Sequence, residues 1–189
     1  MDLRIADIEI QSDSCRMEYL TFDRNDRRQW KVVFDSWMEL KLAMRDYKAR
    51  EPNLPEGLSE VAFCMWSGSV RKTACSGGHS SFDTFNLKTA RMEQIKACSV
   101  ESDLTSFGPT SEWDDLYFMD FWNEGIVDGS FDVYKIKTDL IYNWKVNRNQ
   151  TMRQFQAQGK RPRFSLKKLI EENRIKPVGS KVKVWKSVV

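Results

Sequence analysis

Histidine is almost missing from this chain: His79 is the only one in 189 residues. Hydrolases that activate water through one histidine and ligate metal through others find too few residues here. His79 itself lies between Ser76 and Ser80 beside two glycines, where it can touch a phosphate or sit exposed in a loop. Cysteine is sparse as well. Cys15, Cys64, Cys75 and Cys98 are scattered with no C-x-x-C pair, a poor zinc set, and read as free thiols in a reducing compartment. Long apolar runs are absent. The longest, Val61 to Trp66 and Leu116 to Trp122, fall far short of the roughly 20 residues that a membrane span needs, and no apolar signal region follows Met1. The expectation is a cytoplasmic protein with no membrane partner. No G-x-x-x-x-G-K-[ST] loop occurs, so no nucleotide cofactor is expected.

What is present is enough apolar residue, 41% of 189, to bury one good core, which predicts a single domain over 1–189. Charge is unevenly placed. From Lys135 onward there are 15 Lys/Arg against 3 Asp/Glu, a balance of +12, which leaves 15 against 24, or −9, for residues 1–134. Cations clustered on one segment gain by displacing the counterions of a polyanion, although a solvated basic tail gives the same count.

Residues 26–50 carry Trp30, Val33, Trp37, Leu40, Met44 and Tyr47 at spacings of three and four, with Asp26 as a cap; this predicts an amphipathic helix whose stripe is core or a dimer seam. A second helix starts near Pro55 and runs through Glu60 toward Met65. Residues 67–80, with Gly68, Gly77, Gly78 and many serines, read as loop. Two strands, Ser81 to Asn86 and Arg91 to Cys98, then form a hairpin over about 81–98. Ser102 to Ser111 reads as loop, and Leu116 to Trp122 with Phe131 to Lys137 as a second hairpin. Thr138 and Asp139 are placed to cap a short helix through Trp144. The fold class expected is α/β, a central mixed β-sheet flanked by helices.

The chemistry is placed on the first hairpin. Hydrolysis of a phosphodiester requires carboxylate oxygens to hold a hard cation and a positive group to orient water and offset charge. Residues two apart on a strand share a face, so Gln94 and Lys96 project together while Glu93 and Ile95 project oppositely. Asp83 on the partner strand completes the group.

In Asp83 followed by Gln94-Ile95-Lys96 the sequence resembles the PD-(D/E)XK nuclease superfamily, whose signature is an acidic residue on one strand and an acidic residue, a spacer and a lysine on the next. The wider text resembles a family of small type II restriction endonucleases over roughly residues 55–178: Arg91 to Ala97, Asp103 to Pro109, Ser111 to Tyr117 and Gln158 to Ser165. The resemblance implies a restriction-endonuclease-like sheet, Mg²⁺ as cofactor, catalytic Asp83, Gln94 and Lys96, and a homodimer that presents one centre to each strand of double-stranded DNA. Gln94 departs from the pattern, because a neutral amide is a weaker magnesium ligand than a carboxylate. The missing charge is assigned to Glu60, from which position family members add an acidic ligand, or to Glu93 if a bulge re-aims it. The metal set is therefore Asp83 with Glu60 or Glu93. Asp103 and Ser106 fall in a loop that such enzymes place near DNA, and they equally suit turn and cap roles.

Within the basic segment, about 145–170, Arg153, Gln154, Gln156, Gln158, Lys160, Arg161 and Arg163 carry the side chains suited to phosphates and base edges, arginine pairing with guanine and glutamine with adenine. Gly159 and Pro162 put this cluster on a loop. Two rivals share these features: a sequence-specific DNA-binding protein in which Gln94 marks a decayed site, and a repair nuclease of the same fold.

Overall fold

A computed structural model describes residues 1–10, 12–76 and 81–186. His79 lies outside the described residues. The frame is one mixed sheet of eight strands in the order β1 (Asp2–Ile10), β2 (Asp13–Thr21), β3 (Val70–Cys75), β4 (Thr84–Asn86), β5 (Arg91–Cys98), β7 (Asp115–Asp120), β8 (Phe131–Ile136), β10 (Gly179–Val182). Among the described residues only β5 and β7 run parallel, and every other neighbouring pair of this sheet is antiparallel. Helices α1 (Arg24–Asp46), α2 (Glu56–Ser67), α3 (Thr138–Asn143), α4 (Met152–Gln156) and α5 (Leu166–Glu172) complete an α/β fold, with a small second sheet of β6 (Thr105–Ser106) and β9 (Arg163–Phe164). This is the fold class that the sequence predicts. Among the described residues no helix is long and apolar enough to cross a membrane, and Cys15, Cys64, Cys75 and Cys98 are all free.

β5 divides the core, because its alternate residues face opposite layers. Ile95 and Ala97 pack with Phe63, Trp30 and Phe34 under α1 and α2, whereas Cys98 faces a cluster of Phe107, Leu116, Phe118, Leu169 and Ile170 on the other side.

The first helix starts at Asp23, not Asp26. Asp23 accepts from the backbone N–H groups of Asn25 and Asp26, and Asp26 returns the bond to the Asp23 N–H, a reciprocal pair that satisfies the open end of the helix. Its buried line is Trp30, Phe34, Trp37 and Lys41. Val33, Leu40 and Tyr47 lie about 60–100° around the helix from that line at 3.6 residues per turn, and all three are exposed. The two buried tryptophans fix the neighbouring segment: Trp30 Nε1 donates to Leu58 O at 2.8 Å and Trp37 Nε1 to Asn53 O at 3.0 Å. Helix α2 is thereby held across β5, and Glu60 with it.

Residues 67–80 are not simply loop. Gly68 closes α2 in the left-handed conformation (φ 78°), the chain turns at once into β3, and β3 pairs with both β2 and β4. The second hairpin stands as β7 and β8. In α3 the cap position is Lys137, without a side-chain bond, and the Thr138 hydroxyl donates to Asp114 O at 2.9 Å instead.

A cleft of carboxylates and cations beside a basic segment

Asp83 sits one residue before β4 and already belongs to the ladder, since its N–H donates to Glu93 O at 3.0 Å and its carbonyl accepts from Lys72 N–H at 3.1 Å. Its side chain reaches β5: Oδ2 accepts from the Ile95 N–H at 2.8 Å and from Gln94 Nε2. The Gln94 amide therefore points its nitrogen at Asp83. Glu60, in the second turn of α2, Asp83 and Lys96 all line one cleft of about 600 Å³, together with the loop from Ser99 to Ser106. The sequence motif and the acidic residue assigned to the preceding helix are brought together.

Burial, and after it the negative charge of Glu60, pushes the Asp83 carboxyl up to about 6, against the pull of the Ile95 N–H and of Lys96 and Lys72. Lys96 Nζ lies 5.7 Å from the Phe107 ring centre and makes no hydrogen bond or ion pair among the described residues. Glu60 is paired: Arg71 Nε donates to its Oε2 at 2.6 Å.

Glu93 is not in this cleft. No bulge interrupts β5 against β4 or β7, so Glu93 stays on the face opposite Gln94 and Lys96, with Ile95 and Ala97, 2% exposed and accepting from the Thr84 hydroxyl at 2.8 Å. Burial raises its carboxyl, against the pull of the Thr84 hydroxyl. Of the two acidic residues offered for the ligand set, Glu60 meets Asp83 and Glu93 does not. Among the described residues no group of three or more His, Cys, Asp or Glu side chains is placed to hold a metal.

The basic segment is tied to the rim of this cleft. β6, part of the rim, pairs with β9, so that Ser106 stands opposite Arg163, and the Phe107 N–H donates to Pro162 O at 3.1 Å. Asp103 locks the same junction. It accepts from Thr105 Oγ1, Ser165 Oγ and the N–H groups of Leu166 and Lys167, and so caps α5 from 62 or more residues away. Asp103→Ala is expected to cost about 2–3 kcal/mol of stability, since it leaves a helix end and two hydroxyls without an acceptor. Urea unfolding reads this; a change below about 0.5 kcal/mol would contradict the clamp.

The seven basic-segment residues have unequal freedom. Gln154 closes the cap of α4 by accepting from the Thr151 N–H, Gln156 Nε2 donates to Gly108 O at 2.7 Å, and Gln158 pairs with Lys160 at 2.7 Å. Arg153 lies 5.0 Å from the Tyr142 ring, which stacks on Trp113 at 5.5 Å, and it lines a second hollow with Glu112 and Gln156. Arg161 and Arg163 are exposed. Sequence reasoning missed Arg71 and Lys72, which act on Glu60 and Asp83, because β3 was hidden inside a stretch rich in glycine and serine.

A family model described as Bsp6I restriction endonuclease matches residues 22–173. That span takes in Glu60, Asp83, Gln94, Lys96 and the basic segment. The Type II restriction enzyme Bsp6I of Bacillus sp. (strain RFL6) is 35% identical to the chain over 165 residues, 85% of this chain and 90% of that protein. No solved structure matches the chain.

Proposed function

The chain belongs to the Bsp6I restriction endonuclease family, and on that premise we propose that it is a type II site-specific deoxyribonuclease that cuts both strands of DNA at the cleft holding Glu60, Asp83 and Lys96. The observation that carries the reading is the joining of this cleft to the basic segment through β6, β9 and Asp103. A phosphate backbone held by Arg153, Arg161 and Arg163 then runs past the carboxylates.

The donor set suits a hard divalent cation. Mg²⁺ is commonly held by one or two carboxylates, with water and substrate phosphate filling the remaining positions. Glu60 and Asp83 supply two all-oxygen donors, and the raised Asp83 carboxyl marks charge that a cation relieves. Bound there, Mg²⁺ supplies positive charge against the scissile phosphate and polarises it toward attack.

The chain's own residues do the rest. Gln94 and the Ile95 N–H hold Oδ2 of Asp83, so the amide that replaces the usual carboxylate acts on the ligand and not as one. Lys96, unpaired over Phe107, orients the attacking water and offsets the negative charge that grows on the phosphate. This is the arrangement of the PD-(D/E)XK superfamily with glutamine in its central acidic position. Because one chain carries one such centre and a duplex has two strands, a homodimer follows for a palindromic site. The exposed Val33, Leu40 and Tyr47 of α1 are the candidate seam.

Digestion of phage DNA by the purified protein tests the function. Discrete fragments with uniform ends are expected. A smear, or cutting only at branched junctions, would argue instead for a repair nuclease, and binding without cutting for a decayed site.

A further inference from the structure

Two carboxylates in the cleft are held in the same manner. Each has one oxygen claimed by the protein, Asp83 Oδ2 by Gln94 and Ile95, Glu60 Oε2 by Arg71. The other oxygen of each, Oδ1 and Oε1, has no hydrogen-bond partner among the described residues, and neither is among the described side-chain atoms that are buried and unpaired. Both are therefore open to the cleft.

Arg71 is unusual among the chain's cations. It projects from β3 beside Thr84, its pairing partner on β4, one residue from Asp83. Its guanidinium rests against the first turn of α2 at Gly57, where a Cβ would stand 3.8 Å from it. Neither Arg71 nor Glu60 is free in water, with side chains 28% and 12% exposed. Arg71 thus sets a positive charge against one carboxylate of a cleft that is lined by Glu56, Glu60, Asp83 and Asp103 beside Lys96.

We propose that Arg71 is a positioning residue of the cation site: it fixes Glu60 by Oε2 so that Oε1 is the ligand oxygen, and its charge beside Glu60 weakens the hold on a divalent cation until a phosphate arrives. The inference rests on the reading of Glu60 and Asp83 as ligands. Metal capture is then coupled to DNA binding, because the phosphate supplies negative charge that offsets Arg71. Arg71 reaches Glu60 through Nε and Oε2 and leaves Oε1 unclaimed, a directed contact from a planar group that a mobile ammonium does not reproduce.

The experiment measures Mn²⁺ binding to the full chain without DNA by electron paramagnetic resonance, and in parallel the cleavage rate at saturating Mg²⁺. Arg71→Gln is expected to bind Mn²⁺ roughly tenfold more tightly than the wild type and yet to cut more slowly, a split that a purely structural tie does not produce. Arg71→Lys, which keeps the charge and loses the directed Nε contact, is expected to bind Mn²⁺ as weakly as the wild type and to cut more slowly. Unchanged or weaker Mn²⁺ binding by Arg71→Gln, or an undiminished rate in both variants, overturns the proposal. Glu60→Gln separates the two levels. If it leaves Mn²⁺ binding and cleavage unchanged, the ligand reading fails and the role of Arg71 with it; if it weakens both while Arg71→Gln is neutral, only the role of Arg71 fails.

Discussion

Lys96→Ala is expected to cut DNA at least about 10³-fold more slowly than the wild type, a loss of about 4 kcal/mol of transition-state stabilisation, with DNA binding retained. The size follows from the position of the lysine. It lines the cleft with Glu60 and Asp83, and it is the cation there whose ammonium makes no ion pair or hydrogen bond among the described residues. Its charge is available to the reacting phosphate. For the same reason its removal orphans no buried partner, so thermal unfolding should move little. Binding is expected to survive because the proposal gives the phosphate contacts that dominate affinity to the basic segment. Gel-shift and cleavage assays on one duplex check both halves. A rate within tenfold of wild type would remove Lys96 from the site.

The second large effect is a contrast between two glutamates. Glu60→Gln is expected to lose about 10²-fold or more in Mg²⁺-dependent cleavage, on the scale of several kcal/mol that a cation contributes to such chemistry, and to need more Mg²⁺ for what remains. Glu93→Gln is expected to stay within about threefold of the wild-type rate, a difference under about 1 kcal/mol. Glu93 lies under α2 with Ile95 and Ala97, outside the cleft lining, buried and bonded to Thr84. Sequence alone left both as ligand candidates. Strand alternation favoured Glu60, and an unbroken register in β5 is the structural reason the alternative does not arise. Equal losses in the two variants would mean that the register is wrong.

Much of the site was legible because its elements are local. The hairpin around Asp83, the shared face of Gln94 and Lys96, and the start of α2 at Pro55 all follow from spacing of two or 3.6 and from turn residues. What was not legible depends on contacts distant in sequence. β6 and β9 are two residues each, too short to show a period, and they form because Phe107 and Phe164 stack at 5.3 Å while Asp103 caps α5. β3 carries Arg71 and Lys72 among glycines and serines that read as loop, and it is a strand because β2 and β4 flank it. On α1 two stripes compete, one through Val33 and Leu40 and one through Phe34 and Lys41. The larger ring won the core, and Lys41 follows it by lying over Trp37 and against Glu51. The glutamines of the basic segment suit adenine equally well on paper, but Gln154 and Gln156 are occupied in holding the segment together, which leaves the arginines as its free donors.

The central claim is that a divalent cation held by Glu60 and Asp83 drives hydrolysis in this cleft. The most direct measurement is the cleavage rate of a plasmid as Mg²⁺ is titrated into EDTA-treated wild type and Asp83→Asn, with DNA binding followed at each point. The account predicts saturable, Mg²⁺-dependent cutting by the wild type, none with EDTA, and no detectable cutting by Asp83→Asn, which still binds DNA. Cutting that persists in EDTA, or an Asp83→Asn protein that cuts like the wild type, would contradict it.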